Sequence, residues 1–423
     1  MSYKDIIFLQ NIYGTNAKLS YIKEHASDHD FCTFLTYALD PLTTFNLSEK
    51  TLNDNTEIKD ELFLFNNIFE CCKYVSNLRA MDNATLNQVL SLINRCEPDE
   101  RELYVGLLSK TLRLGVTAKS VNKVIPNLIP IWEVQQAFPI EKYPVEEGTE
   151  FWLTQKLNGT RATFYNRRLR ARSGAAYTGL EHIEKELAFL NVSGFVADGE
   201  LTLLDKGELS DNEAFREATG IINSDAESKL EIVYTIFDVI PIKDFETGEL
   251  GIKYDVRRSV MDTLDDFLKQ KKALYVSVLP VLYHGTDQEQ IPILLDKMVA
   301  EDKEGLMLNL NVPYQRKRHR GILKIKRFYT MDLPIVRCEE GTGRLSGTLG
   351  ALVLDFDGHE VNVGTGFSDE QRAEFWEKRE DLAGVLCEVK YKEISSDKKT
   401  GEQSLQFPVF VSLREDKTEV SYG

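Results

Sequence analysis

The spacing of apolar residues changes from a helical period to a strand period across one proline-rich stretch, and this change limits the fold more than any other feature. Upstream of it, apolar residues recur at i, i+3, i+4 and i+7, the pattern of one helix face. Leu86, Val89, Leu90 and Ile93 have this spacing, and Leu103, Leu107, Leu108 and Leu112 continue an apolar stripe beyond Pro98. Four of the twelve prolines then fall between Pro126 and Pro144, and proline favours extended backbone. The pattern predicts a helical first domain followed by an extended connector.

Downstream of about Phe151, runs rich in β-branched and aromatic residues indicate strands. The clearest runs are residues 195–203 and residues 232–237, and Phe237 is expected to end its strand. Helical patterns lie at about residues 179–190 and 257–270. The alternation predicts a mixed α/β domain.

After about residue 330 the chain consists of short alternating runs and tight turns. Asp357-Gly358 separates the runs 351–356 and 359–363, and Asp-Gly between alternating runs is a strong hairpin signal. Residues 368–371 have the form of a capping box that opens a helix through about Arg379. A barrel of about five strands with one helix, of the oligonucleotide-binding (OB) type, is the simplest interpretation.

The predicted fold class is therefore multidomain α+β. A helical N-terminal domain is expected at residues 1–130, a mixed α/β domain at residues 131–330, and an all-β OB-fold barrel at residues 331–423. A chain of 423 residues is long enough for three such cores.

The formal net charge of −16 argues at first sight against a nucleic-acid partner. The distribution of charge argues for one, because residues 151–180 carry six Lys or Arg and residues 315–327 carry seven, without any acidic residue in either run. Phosphate binding depends on local positive potential rather than on the total. Solvated charge on an ordinary surface is the alternative for each run alone.

The composition also suggests a compartment. The six cysteines form no C-x-x-C pair, so reduced thiols are expected rather than a zinc site. Neither an apolar run of about 18 residues nor a charged-then-apolar leader is visible. The sequence therefore predicts no membrane association and a cytoplasmic protein, of a bacterium or of a virus-infected host cell.

Lys156 opens a series of five short motifs in the middle of the chain. They are Lys156-Leu157-Asn158-Gly159-Thr160-Arg161, Asp198-Gly199-Glu200, Phe237-Asp238, Glu304-Gly305 and Leu323-Lys324-Ile325-Lys326. A lysine that attacks a phosphate must be partly unprotonated, although a free lysine titrates about three units above neutral pH. Cations such as Lys324, Lys326 or a bound metal would disfavour the ammonium form. We therefore interpret Lys156 as a covalent nucleotide carrier, the alternative being an ordinary surface lysine.

The neighbouring motif residues fit such a site. Gly159 is expected to keep a tight turn beside the lysine, and Arg161 offers a fork for a phosphate or a nucleotide hydroxyl. Glu200 and Glu304 lie beside glycines on apolar strands, where an unpaired charge is costly. They should meet a metal, a ribose hydroxyl or a basic side chain, although an ordinary salt bridge is the alternative. Phe237 is either a core aromatic or a face for a nucleobase.

This series resembles the nucleotidyltransferase motifs of ATP-dependent DNA ligases, and the resemblance covers nearly the whole chain. Four further segments resemble family motifs outside the series: Arg172-Ser173-Gly174, Val363-Gly364-Thr365-Gly366-Phe367, Phe407-Pro408 with Arg414-Glu415-Asp416-Lys417, and Arg113-Leu114-Gly115-Val116-Thr117. The last resembles the phosphate-gripping segment of a helical DNA-binding domain. Arg318, six residues before Lys324, is placed like a family arginine that contacts nucleotide phosphates.

The resemblance implies a role for each site residue. Lys156, Lys324 and Lys326 would be catalytic. The nucleotide would be held by Arg161, Arg172, Glu200, Phe237, Glu304, Arg318, Lys324, Lys326, Arg414 and Lys417. A Mg²⁺ or Mn²⁺ ion would be held by Glu200 and Glu304. DNA would be held by Arg113, Gly115, Thr117, Lys119 and Arg172.

The activity implied is sealing of 5′-phosphate/3′-hydroxyl nicks with ATP as cofactor, in DNA replication, repair or recombination. The expected partner is nicked duplex DNA, which a monomer would encircle. Two departures from the family pattern stand out: Asn158 replaces the usual aspartate, and Gln406 replaces a basic residue before Phe407-Pro408.

Three alternatives remain at this stage. An RNA ligase or an mRNA capping guanylyltransferase uses the same covalent chemistry, but is not expected to carry the helical domain in this form. An NAD-dependent ligase would bring the paired cysteines of a zinc module, which this chain lacks. A catalytically silent DNA-binding scaffold is the alternative from another class, and labelling with ATP would distinguish it.

Overall fold

The computed structural model describes residues 3–54, 65–78, 81–224, 226–248, 251–396, 403–414, 416–417 and 419–421. The chain divides into two compact units. The first unit comprises Met1–Gln288 and Met307–Lys324, and the second comprises Glu289–Leu306 and Ile325–Gly423.

Helices make up the N-terminal part of the first unit. They are α1 (Tyr3–Asn11), α2 (Thr15–Glu24), α3 (His29–Leu39), α4 (Glu49–Asp54), α5 (Ile68–Val75), α6 (Asn83–Ile93), α7 (Pro98–Leu108) and α8 (Ala118–Val121). Side chains of Asp28, Asn67 and Asp82 cap α3, α5 and α6 by accepting a backbone N–H, which satisfies donors that a helix start leaves free.

The helical period read from the sequence corresponds to real helix faces here. Val89, Leu90 and Ile93 of α6 are buried in the same core as Leu107 and Leu108 of α7. The predicted stripe is shorter than expected, because α7 ends at Leu108 and Leu112 lies beyond it.

The rest of the first unit is mixed α/β, as predicted. Its strands are β1 (Gln136–Pro139), β2 (Phe151–Gln155), β3 (Thr160–Tyr165), β4 (Arg168–Ala171), β5 (Phe195–Leu203), β6 (Ile232–Pro241), β7 (Val276–Val278), β8 (Val281–Gly285), β9 (Leu306–Leu310) and β10 (Arg318–Ile325). They form two five-stranded sheets, β1-β10-β9-β2-β8 and β4-β3-β5-β6-β7. The helices are α9 (Glu181–Val192), α10 (Asp211–Ile222), α11 (Ile242–Thr247) and α12 (Tyr254–Lys271). The expected helices thus correspond to α9 and α12.

Part of the proline-rich connector is a strand, which the sequence did not predict. β1 pairs in parallel with β10, with Gln136 opposite Arg318 and Pro139 opposite Lys324. Proline is compatible with this position because β1 lies at the edge of its sheet. The segment therefore belongs to the mixed α/β fold.

The second unit contains α13 (Gln290–Ala300) and a small antiparallel β domain. The elements of that domain are β11 (Tyr329–Glu340), β12 (Leu349–Phe356), β13 (His359–Val363), α14 (Asp369–Glu377), β14 (Leu386–Tyr391), β15 (Ile394–Ser396), β16 (Gln403–Leu405) and β17 (Val409–Leu413). The predicted hairpin joins β12 to β13, and both turn residues have positive φ, 52° at Asp357 and 84° at Gly358. The Ser368 capping box opens α14, which ends at Glu377 rather than near Arg379.

The prediction of a closed barrel is wrong for the described residues. The main sheet has the order β13-β12-β11-β14-β17 and stays open, while β15 and β16 pair separately. Its two edges meet where the Phe410 N–H donates to the Thr365 carbonyl at 2.9 Å. Local alternation specifies each strand but not whether distant edge strands join into a continuous ladder.

Candidate active site

Lys156 lies in the loop between β2 and β3, and Gly159 fixes where that loop passes. A Cβ added to Gly159 would lie 2.4 Å from the carbonyl oxygen of Leu201 on β5. Such a distance is impossible without moving backbone, so the absent side chain allows close packing of the loop on β5. Gly159 lies at a bend between β2 and β3, and close approach to β5 is a second reason for glycine here besides the turn expected from the sequence.

Asn158, the departure from the family pattern, ties the same loop to α10. Its Nδ2 donates to Asn212 Oδ1 at 2.9 Å and to the Asp211 carbonyl at 3.4 Å. An ionised aspartate has acceptors only, so it would make neither bond as a donor. The amide thus anchors the lysine loop to the start of a helix.

The loop borders a cavity of about 660 Å³ in the first unit. Seven of the residues predicted for the site line this cavity: Lys156, Arg161, Arg172, Glu200, Phe237, Arg318 and Lys324. Lys156 lies in the loop before β3 and Arg172 in the turn after β4, and the other five lie on strands far apart in sequence. The structure therefore brings a lysine, further cations, a carboxylate and an aromatic ring to one concave surface, as a site for a charged aromatic ligand requires.

Arg161 is held in the cavity wall by protein acceptors. Its Nε donates to Asp198 Oδ1 at 2.9 Å, its Nη2 bonds Asp198 Oδ2, and its Nη1 donates to the Gln135 carbonyl at 2.5 Å. Tyr314 donates its hydroxyl to Asp198 Oδ2 at 2.6 Å. Burial, and then the nearby Asp198 carboxylate, raises the pKa of Tyr314, so the hydroxyl remains a donor at neutral pH.

Phe237 presents its ring to this network. The guanidinium carbon of Arg161 lies 5.2 Å from the ring centroid, a cation–π distance. The expectation that Phe237 ends its strand is wrong, because β6 continues to Pro241. The strand continues because residues 238–241 pair with β5. Asp238, the residue after Phe237, is buried in a bidentate pair with Arg257, at 2.7 and 3.0 Å.

A basic group stands beside the cavity at Gln136. Arg172 donates from Nη2 to Gln136 Oε1 at 3.0 Å, and Arg318 donates from Nη2 to the same oxygen at 3.4 Å. One amide oxygen of β1 thus accepts bonds from two guanidinium groups, one in the turn after β4 and one on β10. A fixed pair of arginines is suited to phosphate oxygens.

Two family models match the chain over this region and beyond it. The model described as "ATP dependent DNA ligase domain" matches residues 133–326, which include every residue of the cavity. The model described as "DNA ligase OB-like domain" matches residues 340–414. The chain belongs to the ATP-dependent DNA ligase family. Sealing of nicks in DNA is the general activity of that family.

Individual relatives agree with this assignment. The DNA ligase of Enterobacteria phage T4 is 22% identical over 396 residues, with 80% of each chain covered. The DNA ligase of Archaeoglobus fulgidus is 28% identical over 287 residues, which cover 62% of this chain and 49% of the relative. A solved structure named "Pmar-Lig_PreS3" has a TM-score of 0.62 and 26% identity, and covers 97% of this ligase and 98% of that chain.

Glu304 and Lys326 belong to the second unit of this ligase, where they form an ion pair. The Glu304 side chain is 7% exposed and that of Lys326 is 20% exposed. Gly305 allows this arrangement, since a Cβ there would lie 2.2 Å from the Ile325 carbonyl oxygen. The structure therefore places the two residues together, and their roles toward nucleotide and metal stay predictions.

Arg414 and Lys417 also belong to the second unit, and both contact Asp332. Glu415 of the same motif lies outside the described residues. Gln406, the second departure from the family pattern, pairs through its backbone with Lys392 and Glu393.

The residues predicted to hold DNA in the helical part lie in one loop and at the start of α8. Gly115 has φ of 70°, which favours glycine, and Thr117 caps α8 by accepting the Ser120 N–H. The Leu114 carbonyl of this loop accepts a bond from the buried Lys18 at 2.9 Å. Lys119 is paired with Glu133, so part of its charge is already compensated. DNA binding by this loop stays a prediction.

Several cavity residues were not predicted from the sequence. They are Gln135, Gln136, Tyr177, Phe215, Thr219, Met307, Asn309 and Tyr314, among others. Phe215 and Thr219 lie on α10, whose capping box at Ser210 and Glu213 is readable in the sequence. No local pattern marks Tyr314 or Gln135, because they act through contacts with residues far away in the chain.

Within the described part of the chain, the helices include none that is long and apolar enough to cross a membrane.

Proposed function

We propose that this chain seals 5′-phosphate/3′-hydroxyl nicks in duplex DNA through an AMP carried on Lys156. The observation that supports the proposal best is the cavity that Lys156 lines together with Arg161, Glu200, Phe237 and Lys324. The family match covers the same residues. The cavity offers a nucleophile, a carboxylate for a ribose or metal, an aromatic face and fixed cations.

The chemistry proposed has three steps. The Lys156 amine attacks the α-phosphorus of ATP, so an N–P bond forms, the P–O bond to pyrophosphate breaks, and the amine loses a proton. An oxygen of the nick's 5′-phosphate then attacks the phosphorus of the lysine-bound AMP, so a P–O bond forms, the N–P bond breaks and the lysine amine regains a proton. The 3′-hydroxyl finally attacks the phosphorus of the 5′-phosphate, so the phosphodiester bond forms, the hydroxyl loses its proton and AMP leaves. Each step is an in-line transfer in which positioning and charge stabilisation dominate.

The fixed groups divide this work. Lys324 would place positive charge on the α-phosphate, and the Arg172–Gln136–Arg318 group would hold phosphate oxygens of nucleotide or nick. Arg161 would form the cavity wall rather than bind the nucleotide directly, because its Nε, Nη1 and Nη2 already donate to Asp198 and to the Gln135 carbonyl. This restricts the nucleotide-binding role that the resemblance implied for Arg161.

A divalent metal fits the donor set of the cavity. Mg²⁺ is held in proteins by one or two carboxylates together with substrate phosphates, and Glu200 supplies a carboxylate at the cavity. When bound, the ion would neutralise charge on the phosphates. Within the described residues no cluster of three or more metal-binding side chains occurs, so nucleotide phosphates would have to complete the coordination. Glu304 is proposed as a second carboxylate.

The partner proposed is nicked duplex DNA, held by the helical part through Arg113, Gly115, Thr117 and Lys119 and encircled by a monomer. An RNA ligase or a capping enzyme would share the lysine chemistry. Both family models and the phage relative are named for DNA ligases, which favours DNA over RNA as the substrate.

Labelling tests the proposal. The protein is incubated with α-labelled ATP, α-labelled GTP or adenylate-labelled NAD, and denatured, and label on the chain is measured. We expect label on the chain from ATP only. In a separate sealing assay, we expect nicked DNA to be sealed in preference to nicked RNA. Lys156→Ala and Lys156→Arg should take up no label, since a guanidinium stays protonated. Lys185→Ala, an exposed lysine of α9, should label normally. A normal amount of label on either Lys156 variant would contradict the assignment of Lys156 as the nucleophile.

A further inference from the structure

Gly174 lies in the turn after β4 that carries Arg172, and it packs directly against the helical part. A Cβ added to Gly174 would lie 2.9 Å from Pro41 Cβ and 2.8 Å from Trp132 Cγ. Gly174 also has φ of 96°, in the left-handed region that favours glycine. Pro41 belongs to the loop of residues 40–42 that follows α3, which we call the support loop. The turn and the support loop are therefore in close contact.

Arg170, on β4, adds a polar contact between the same two segments. Its Nη1 donates to the Gly174 carbonyl at 3.0 Å and to the Leu42 carbonyl at 3.3 Å. The Leu42 side chain also packs in one apolar cluster with Trp132. One guanidinium nitrogen thus holds the turn and the support loop together, although Arg170 and Leu42 are 128 positions apart in the chain.

Asp40 fixes the support loop within the helical part. Its Oδ1 accepts the Leu42 N–H at 2.9 Å, and its Oδ2 accepts the Thr43 hydroxyl at 2.6 Å. The Asp40 carbonyl accepts a bond from Lys110 Nζ at 2.8 Å. Asp40 itself is only 8% exposed. The support loop is therefore braced from the helical side, and it offers the turn a fixed surface.

Arg172 lies inside the turn that these contacts hold. The Gly174 N–H donates to the Ala171 carbonyl, and the Ala171 N–H donates to the Ala175 carbonyl, both at 2.8 Å. At the cavity, Arg172 Nη2 donates to Gln136 Oε1 at 3.0 Å. A turn closed by two backbone bonds moves as a unit, so its side chains move with it. The position of the Arg172 guanidinium therefore depends on the support loop as well as on Gln136.

We infer that Arg170 and Asp40 are positioning residues for Arg172, through which the helical part sets the rate of sealing in addition to binding DNA. The inference rests on the proposed function, because Arg172 is assigned there to phosphate oxygens of nucleotide or nick. Arg170 and Asp40 would contact no ligand themselves. A misplacement of about 1 Å can lower a rate by about 10²-fold, so these contacts can change the rate without changing the affinity for DNA.

Sealing of a nick that already carries AMP on its 5′-phosphate tests this role in the full-length protein. Single-turnover rates over a range of protein concentrations give the limiting rate and the half-saturating concentration. Arg170→Met keeps the aliphatic stem and removes the donors, and Gly174→Ala presses on Pro41 and Trp132. Each should lower the limiting rate at least about fivefold, because the guanidinium of Arg172 is displaced. The half-saturating concentration should stay within about twofold of the wild type, since neither change removes a contact with DNA.

Asp40→Ala tests the helical side alone. It removes the acceptors of the Leu42 N–H and the Thr43 hydroxyl, and should also lower the limiting rate at least about fivefold. Asp40→Asn keeps one oxygen that can accept the Leu42 N–H, and should recover at least about half of the wild-type rate. Asp82→Ala is the matched control, since Asp82 accepts the Thr85 N–H at 2.7 Å and the Thr85 hydroxyl at 3.2 Å, at the start of α6. Its limiting rate should stay within about twofold of the wild type, because α6 does not hold the turn.

The Arg172→Ala background separates positioning from a general loss of structure. There, Arg170→Met and Asp40→Ala should each cause less than about twofold further loss, because both act through the guanidinium that is already absent. A full additional loss would indicate a structural role and overturn the inference. Wild-type limiting rates in Arg170→Met, Asp40→Ala or Arg172→Ala would do so too.

A change in the half-saturating concentration alone would also overturn the inference, since the helical part would then act only by binding DNA. If Gly174→Ala does not fold, Arg170→Met and Asp40→Ala decide. A wild-type protein that seals neither an ordinary nick nor one that carries AMP would instead contradict the proposed function.

Discussion

Arg161 and Asp198 form an ion pair in which one guanidinium edge covers a carboxylate that is fully buried. Nε lies 2.9 Å from Asp198 Oδ1, and Nη2 bonds the other oxygen. The side chain of Arg161 is 20% exposed and that of Asp198 is 0% exposed. Tyr314 adds a third donor to the same carboxylate at 2.6 Å. The pair connects β3 to β5 at the wall of the cavity.

Removing the charge of Asp198 should therefore destabilise the first unit. Asp198→Asn is expected to lower the free energy of unfolding by about 3–5 kcal/mol, because it leaves Arg161 without its buried counter-charge. Urea unfolding followed by tryptophan fluorescence measures this, since Trp132 and Trp152 lie in the same unit. Asp262→Asn is the control: Asp262 is 64% exposed in its pair with Arg258, so a loss of about 1 kcal/mol or less is expected. Equal losses in the two variants would contradict the assignment.

Gly159→Ala should impair the lysine loop more than the fold. The added methyl would meet the Leu201 carbonyl oxygen at 2.4 Å, and overpacking of this kind costs about 1–3 kcal/mol. Displacement of Lys156 should lower the self-labelling rate about tenfold or more, which corresponds to about 1.4 kcal/mol. Gly220→Ala, within α10 and with open space around its Cα, should label normally and gain about 0.5–1 kcal/mol of stability. If Gly159→Ala labels as fast as Gly220→Ala, the close approach has no consequence for the loop.

A protein that lacks the helical part should show whether self-labelling with ATP and DNA binding depend on different parts of the chain. The shortened protein must keep all of β1. A chain beginning at Pro130 keeps Gln135 and Gln136 and should still label with ATP, but should bind nicked duplex much more weakly. A chain beginning at Pro139 loses the Gln135 carbonyl that Arg161 bonds at 2.5 Å and the Gln136 oxygen that holds Arg172. It should label slowly. Equal labelling of the two shortened proteins would show that β1 is dispensable.

The salt dependence of DNA binding should distinguish Arg113 from Lys119. Arg113→Ala is expected to flatten the log–log slope of affinity against salt by about 0.9, the value for one lost phosphate contact. Lys119→Ala should change the slope less, because Lys119 is already paired with Glu133. Binding of nicked duplex measured between about 50 and 200 mM salt covers the range in which such contacts weaken. Identical slopes for Arg113→Ala and the wild type would exclude a phosphate contact at Arg113.

Lys110 should make the stability of the helical part depend on pH. Its Nζ donates to the carbonyls of Tyr37 and Asp40, each at 2.8 Å, and burial lowers the pKa of Lys110 to about 8. Between this value and the ordinary value of 10.5, the unfolded chain binds more protons than the folded one. The contribution of Lys110 to stability therefore rises with pH across that window and is constant below it.

Melting temperatures of the wild type and Lys110→Met at pH 7.5 and 9.5 test this directly. We expect the wild type to gain relative to the variant at the higher pH. Lys73→Met, an exposed lysine of α5, should follow the wild type at both values. A difference between wild type and Lys110→Met that does not change with pH would contradict the lowered pKa.

Site residues that lie in short motifs could be predicted from the sequence, whereas residues whose role depends on contacts far along the chain could not. Lys156, Glu200 and Lys324 were readable because each lies in a short motif of unusual composition, and the structure places all three at one cavity. Tyr314 was not readable, because its role depends on Asp198, 116 positions earlier. The pairing of β1 with β10 was missed for the same reason: parallel pairing joins segments about 180 residues apart, and nothing within either segment specifies its partner.

The open sheet of the second unit follows the same logic. Alternation predicted β12, β13 and the turn between them, since a hairpin is a local structure. Whether the edges of a sheet join depends on tilt and stagger accumulated over all its strands. The edges here meet at Thr365 and Phe410 without a continuous ladder among the described residues.

The position of Trp132 determines where a recombination junction would leave the mixed α/β fold whole. It is 8% exposed and packs against Tyr165 and Phe245 of the mixed α/β fold. The family model for that fold begins at residue 133, next to this side chain. A recombination junction placed just before Trp132 would keep the edge strand β1. It would also keep Trp132 packed against Tyr165 and Phe245. A junction among the later prolines would instead cut through the pocket, because Gln135, Gln136 and Ala137 line it.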